Sequence, residues 1–141
     1  TADQPCCSQV DAISRARRED IAMSEAPKES LEEKYPSLFN HEQFIYPVAV
    51  GPGWIPLVDT LCRLLVKSTE QGASEVKALQ VKVKFGKLRF YAVACSSYHG
   101  GLIKLAEAYS ARICDVCGGL GSMVCIDGYY VTRCKSHGRS P

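Results

Sequence analysis

The chain reads as a small α+β protein: an antiparallel hairpin packed with two or three helices, closed near its C-terminus by a metal-binding finger. Three observations predict this. Period-two alternation runs over Leu79–Phe85 and again over Leu88–Ala94, the mark of antiparallel strands with one buried face. Apolar stripes of helical period begin at Trp54 and at Leu102, the mark of helices that lay one face on a core. Two ligand pairs, Cys114–Cys117 and Cys134–His137, stand 16 residues apart, a spacing used by structural zinc sites.

A length of 141 residues fits one domain, large enough to bury a core. The expected organisation is an N-terminal extension over residues 1–30 and a single α+β domain over 31–141, with the finger at 114–137. A net charge of +2 implies neither nucleic-acid nor membrane binding by itself. No run approaches the ~18 apolar residues of a membrane helix. The eight cysteines belong either to a disulfide framework or to metal and free thiols. The start, Thr1 to Pro5, has neither a basic nor an apolar leader segment, so the reducing cytoplasm is the expectation.

Within the extension, Val10, Ile13, Arg17 and Ile21 share helical spacing, which predicts a weakly amphipathic helix over Gln9–Met23 ended by Pro27. Arg15, Arg17 and Arg18 form a basic cluster, either a solvated helix face or a contact for an acidic partner. Cys6 and Cys7 are adjacent, and neighbouring cysteines seldom bridge each other. They read as thiols, or as partners of something outside this sequence.

Residues 29–34 suit one or two helical turns, broken at Tyr35-Pro36. A strand is expected over Phe44–Val50, stopped by Gly51-Pro52-Gly53. The next helix opens at Trp54. Pro56 suits its first turn, Asp59 complements its dipole, and Leu57, Val58, Leu61 and Leu65 follow one face to a stop at Gly72. Cys62 beside this stripe reads as a small buried hydrophobe. In the hairpin Gly86-Lys87 is the expected turn. The wet face should carry Lys82, Lys84, Arg89 and Tyr91. Cations interleaved with an aromatic are the ingredients of a nucleic-acid platform, and equally of a solvated sheet that resists edge pairing. Residues 96–101 read as a loop with His99 a plain loop histidine. A second helix runs from Leu102 to Ile113 and delivers the chain into Cys114.

A C-x-x-C pair suits zinc because its two-residue gap turns both thiolates toward one ion, ~2.3 Å away. Gly118 supplies the positive φ such a knuckle needs. Between the pairs, Met123–Ile126 and Tyr129–Val131 read as strands about Asp127-Gly128, a strong hairpin signal. The expected site is one structural zinc ion on Cys114, Cys117, Cys134 and His137, in a ribbon-like finger or a shortened treble clef. Cys125 is the competing ligand, but it sits in mid-strand. Four protein ligands leave no open position, which disfavours a catalytic metal.

Cys114 to Gly121 matches one C-x-x-C-x-G-x-G unit of the DnaJ-type co-chaperones, whose cysteine-rich domain needs several such units. More extensively, Tyr35 to His137 resembles a group of small zinc-binding proteins of tailed phages and bacterial prophage regions. The matching residues are Tyr35-Pro36, Leu38-Phe39, Gly53-Trp54, Phe85-Gly86, Leu88 to Tyr91, Ala106-Glu107, Ser110, Gly118 and the four ligands. The resemblance implies a phage- or prophage-encoded protein in the bacterial cytoplasm and carries no catalytic residues.

No phosphate loop, triad or pair of acids appears. His41, His99 and Cys95, the remaining candidates for an enzyme, lack any spacing logic. The functional expectation is a non-catalytic, zinc-stabilised protein that engages or inhibits a host protein, such as a defence or transcription component. The alternative is nucleic-acid binding through Lys82, Lys84, Arg89 and Tyr91, joined by Arg15, Arg17 and Arg18 and by Arg133 and Lys135 near the metal.

Overall fold

A reciprocal cap starts the described chain. Ser30 accepts from the Glu33 N–H, and the Glu33 carboxylate accepts from the Ser30 N–H, satisfying two orphan donors of helix α1 (Leu31–Lys34). The fold is that of a computed structural model and is described for residues 29–93 and 96–138. The helix expected over Gln9–Met23, the cluster of Arg15, Arg17 and Arg18, and Cys6, Cys7 and Cys95 lie outside those residues. Tyr35-Pro36 ends α1, and Pro36 then opens a second short helix, α2 (Pro36–Phe39), because proline suits a first helical position.

The strand expected over Phe44–Val50 does not form. Only Ala49 makes a bridge, to Lys82, with its N–H on the Val81 carbonyl at 3.0 Å. Pro47 interrupts the run and has no N–H to give a ladder. A 3₁₀ turn, Pro52–Trp54, then leads into the long helix α3 (Ile55–Glu70). It buries Val58, Leu61, Cys62, Leu65 and Ser68. Burial pushes the Cys62 thiol up to about 12, so it packs as a small apolar group. Gly72 ends the helix at φ 98°, where a β-carbon would be strained.

Strands β1 (Lys77–Lys84) and β2 (Lys87–Val93) pair antiparallel. The alternation holds along Leu88 and Phe90 and at Val81, while β1 departs from it at Leu79, at Val83, which is exposed, and at Phe85. A register shift between Ala78 and Gln80 buries Ala78 and leaves Leu79 half-buried. The turn is Phe85-Gly86 rather than Gly86-Lys87, since Lys84 pairs with Lys87. Both turn residues have positive φ, 51° and 77°, as a two-residue type I′ turn requires. Phe85 therefore projects into solvent.

The second long helix, α4 (Ser97–Ser110), begins five residues earlier than Leu102. Ser96 caps it, accepting from the His99 N–H, while its own N–H donates to His99 Nδ1. His99 fills the role that glutamate or glutamine takes in a capping box. It is a fully buried core residue, not a loop histidine. Its Nε2 lies 2.6 Å from Ser68 Oγ, and the Ser68 hydroxyl donates to the Leu65 carbonyl. The bonds fix the tautomer: Nδ1 accepts and Nε2–H donates. His41 is likewise used structurally, its Nε2 bonded to the Ala78 carbonyl at 2.7 Å. The main core joins these elements, with Leu38 and Phe39, Trp54, the α3 face, Val76, Val81, Leu88 and Phe90, and Ile103 and Ala106 packed together.

Asp59 lies past the first turn of α3, so the dipole role expected for it falls away. It accepts instead from Lys34 Nζ at 2.8 Å and from the Tyr35 hydroxyl at 2.7 Å, tying α1 to α3. Burial works to raise its pKa, but these hydrogen bonds outweigh it and hold the carboxyl below the ordinary range. A depressed carboxyl stabilises the fold above its unfolded pKa, and the gain is lost as pH falls through the folded value. Asp59→Asn should cost about 1 kcal/mol at pH 7. In urea titrations the gap from the parent protein should close as the pH drops below ~4.

Candidate metal centre

Helix α4 fixes where the ligands begin. Ser110, its last residue, accepts the Leu88 N–H and donates to the Glu107 carbonyl, locking the helix end to β2. Arg112 and Ile113 continue the turn through N–H bonds to the Tyr109 and Ser110 carbonyls, and Cys114 follows. The chain then folds into the expected knuckle. The Gly118 N–H donates to the Cys114 carbonyl at 2.9 Å and the Cys114 N–H to the Gly119 carbonyl at 2.8 Å. The Gly119 N–H points at Cys117 Sγ, 3.4 Å away. Gly118 adopts φ 79°, the left-handed conformation assigned to it.

Strands β3 (Ser122–Ile126) and β4 (Tyr129–Arg133) form the intervening hairpin. Asp127 and Gly128, at φ 52° and 83°, make its type I′ turn, as the Asp-Gly pair predicts. Past β4, Cys134 opens a second turn in which the His137 and Gly138 N–H groups donate to its carbonyl at 3.2 and 2.8 Å.

These two turns bring Cys114, Cys117, Cys134 and His137 together, with one donor atom from each inside 4.8 Å of all the others. Cys117 Sγ lies 3.9 Å from Cys134 Sγ. His137 presents Nδ1, 3.5 Å from Cys114 Sγ and 3.3 Å from Cys134 Sγ. Cys114 and Cys134 are buried, Cys117 and His137 half-buried. Cys125 is exposed on β3 opposite Tyr130 and stands outside the group.

What holds the knuckle is a segment that the sequence marks only as a strand stop. The Gly53 N–H donates to the Asp115 carbonyl at 2.8 Å, and the Trp54 indole N–H donates to the Ile113 carbonyl at 2.8 Å. A β-carbon on Gly53 would collide with backbone atoms of Cys114, Asp115 and Gly118, and one on Gly51 with the Asp115 carbonyl. The second ligand turn is tied in by Asp115, whose N–H donates to the Thr132 carbonyl at 3.0 Å. Asp115 also accepts from Arg133 Nε at 3.1 Å. Arg133 thus has its Nε in an ion pair with the first ligand turn, and its side chain stays half-exposed.

No protein family, curated protein or solved structure matches this chain.

The structure also assembles the expected basic face. Register places Gln80 opposite Tyr91, Lys82 opposite Arg89 and Lys84 opposite Lys87, all on the side away from buried Val81, Leu88 and Phe90. Lys82 Nζ lies 5.7 Å from the centre of the Tyr91 ring. Arg15, Arg17 and Arg18 lie outside the described residues.

Because the Gly53 contact is with backbone, no rotamer change relieves it. Gly53→Ala should destabilise the protein by ~2–3 kcal/mol. Gly100→Ala, inside α4 with open space around it, should stabilise by ~0.5–1 kcal/mol. Denaturant midpoints of the two variants check this, and equal effects would remove the tight seat from the account.

Proposed function

We propose that this chain is a non-catalytic binding protein whose C-terminal surface is shaped by one structural zinc ion. One observation carries the reading. Among the described residues, the only buried cluster of the finger is Cys114 with Cys134, and Cys117 packs against it. The core of the finger is its own ligand set. A two-stranded hairpin without apolar backing is marginal in water, so something must supply the missing cohesion, and bound metal does this in small domains.

The donor set supports zinc. A tetrahedron with ~2.3 Å metal–sulfur and ~2.0 Å metal–nitrogen bonds has S–S edges of ~3.8 Å and S–N edges of ~3.5 Å. Three of the six donor separations, 3.9, 3.5 and 3.3 Å, lie near those edges, and all six are within 4.8 Å. Thiolates with one imidazole are also the ligands that select zinc over harder cations. With all four positions filled by the protein, the ion would hold the two turns together and leave no coordination site for water or substrate.

The resemblance of the sequence to phage and prophage zinc proteins supports a bacterial cytoplasmic setting, and the closed ligand set with no catalytic motif supports a host protein as partner, such as a defence or transcription component blocked by occupation of its surface. No helix among the described residues is long and apolar enough to cross a membrane. The second reading takes nucleic acid as the partner, and one observation favours it. Lys82 faces Arg89 and Lys84 faces Lys87 directly across the ladder, an arrangement that costs stability. None of the four has a carboxylate partner among the described residues.

Purified protein should contain one zinc per chain by elemental analysis. Cys134→Ser and His137→Ala should lose it and Cys125→Ser should keep it. Removing the ion with a chelator should speed proteolysis within residues 114–138 while the helical circular dichroism signal of α3 and α4 persists. Retention of zinc by Cys134→Ser would overturn the ligand assignment.

A further inference from the structure

We propose that the cleft between the Gln43–Tyr46 segment and the outer face of the β1–β2 hairpin seats a base of a single-stranded nucleic acid, while the basic rows beside it follow the phosphate backbone. This rests on the second reading above and gives it a site. The cleft has a volume of about 390 Å³, within the ~300–1,000 Å³ range of small-ligand sites. Leu79, Gln80 and Tyr91 line it from the sheet, Gln43, Ile45 and Tyr46 from the opposite segment, and Lys82 adjoins Tyr91.

Each part of this cleft departs from what a plain solvated sheet needs. Pro47 and the single bridge at Ala49 keep residues 43–46 from pairing with β1, which leaves a gap where a third strand would lie. The bulge at Leu79 takes that side chain out of the core alternation and turns it to the cleft, a common use of bulges. Ile45 is 75% exposed, Tyr46 62% and Tyr91 38%, an apolar and aromatic lining left open to water. Two amide side chains, Gln43 and Gln80, add donors and acceptors suited to base edges.

The charge lies where a backbone would continue. From Tyr91 and Gln80 the same face runs to Lys82 and Arg89, then to Lys84 and Lys87 beside the turn. The uncompensated cross-strand cations are relieved when phosphates come between them. Aromatic stacking with an adjacent cationic track is how proteins hold single strands. In a duplex the base faces are already stacked and cannot enter a cleft.

The test is fluorescence anisotropy on the full-length, zinc-loaded protein with labelled 12-mers of oligo-dT and oligo-rU, a duplex DNA of equal length, and polyglutamate as a control polyanion. The single strands should bind and weaken steeply with salt. Tyr46→Ala and Tyr91→Ala should each weaken binding about 10-fold with the salt slope unchanged. Arg89→Ala should lower that slope by about 0.7. Both tyrosines are exposed, and unchanged zinc content and urea midpoint confirm that the variants fold. Duplex or polyglutamate binding as tight as that of the single strands overturns the proposal. So do tyrosine variants with unchanged affinity, and in that case salt-dependent binding leaves the broader nucleic-acid reading standing. Absence of binding to every oligonucleotide at 20 mM salt removes both.

Discussion

Gly53 meets the backbone of Cys114, Asp115 and Gly118 at distances that leave no room for a β-carbon. From this contact the connections run outward. Trp54, the next residue, is fully buried and anchors the start of α3 to the Ile113 carbonyl. Asp115, whose carbonyl takes the Gly53 N–H, gives its own N–H to Thr132 on β4. Thr132 is buried and donates its hydroxyl to the Gly86 carbonyl at 2.7 Å. The 3₁₀ turn before α3, the ligand knuckle, the finger hairpin and the turn of the main hairpin are therefore joined by bonds between backbone groups and by two buried side chains, Trp54 and Thr132. Both side chains are fully buried, so the ligand turns are tied to the main core.

The main hairpin is also only two strands wide, and its stability comes from how its edges and inner face are used. On the β1 edge Ala49 takes one carbonyl. On the β2 edge the Leu88 and Phe90 N–H groups, which point away from β1, are accepted by Ser110 Oγ and Glu107 Oε2 of α4. Two polar side chains of one helix thus replace a third strand and leave no open donor row at those positions. The inner face is covered by α2 on the β1 side and by α4 on the β2 side, with the buried face of α3 in the same core. What is left to solvent is the outer face, and it carries like charges in register.

Elements with strong local physics were legible in the sequence. The Asp127-Gly128 turn, the C-x-x-C knuckle with Gly118, the face of α3 and the pairing of the two main strands all rest on short-range rules, and the structure contains them. The departures share a cause in long-range contacts. Gly100 and Gly101 signal a loop, yet α4 runs through them because Ser96 and His99 cap its start and buried His99 packs on Ser68. Phe85 reads as a core residue by alternation. It is a turn residue because Lys84 pairs with Lys87, and Gly86 beside it lies against the backbone of Tyr130 and Val131. Gly51-Pro52-Gly53 reads as punctuation, while its function is close approach to a segment 60 residues away, which no local pattern encodes.

The contact between Gly86 and β4 links the two candidate functions of the molecule. A finger whose core is four ligands has little interior in which to bury its own apolar side chains. Leu120, Tyr129 and Tyr130 consequently remain exposed, and the hairpin is held by its ends. One hold is the ligand set, and another is Thr132 on Gly86. On the proposed zinc loading, the ion fixes β4, and β4 fixes the Phe85-Gly86 turn whose flanks carry Lys84 and Lys87. Loss of the ion would loosen that turn first and leave the Tyr46–Tyr91 cleft, at the far end of the same hairpin, backed by the main core. The metal then acts on the charged end of the face and the main core on its aromatic end. A closed metal site can in this way tune binding without touching what is bound.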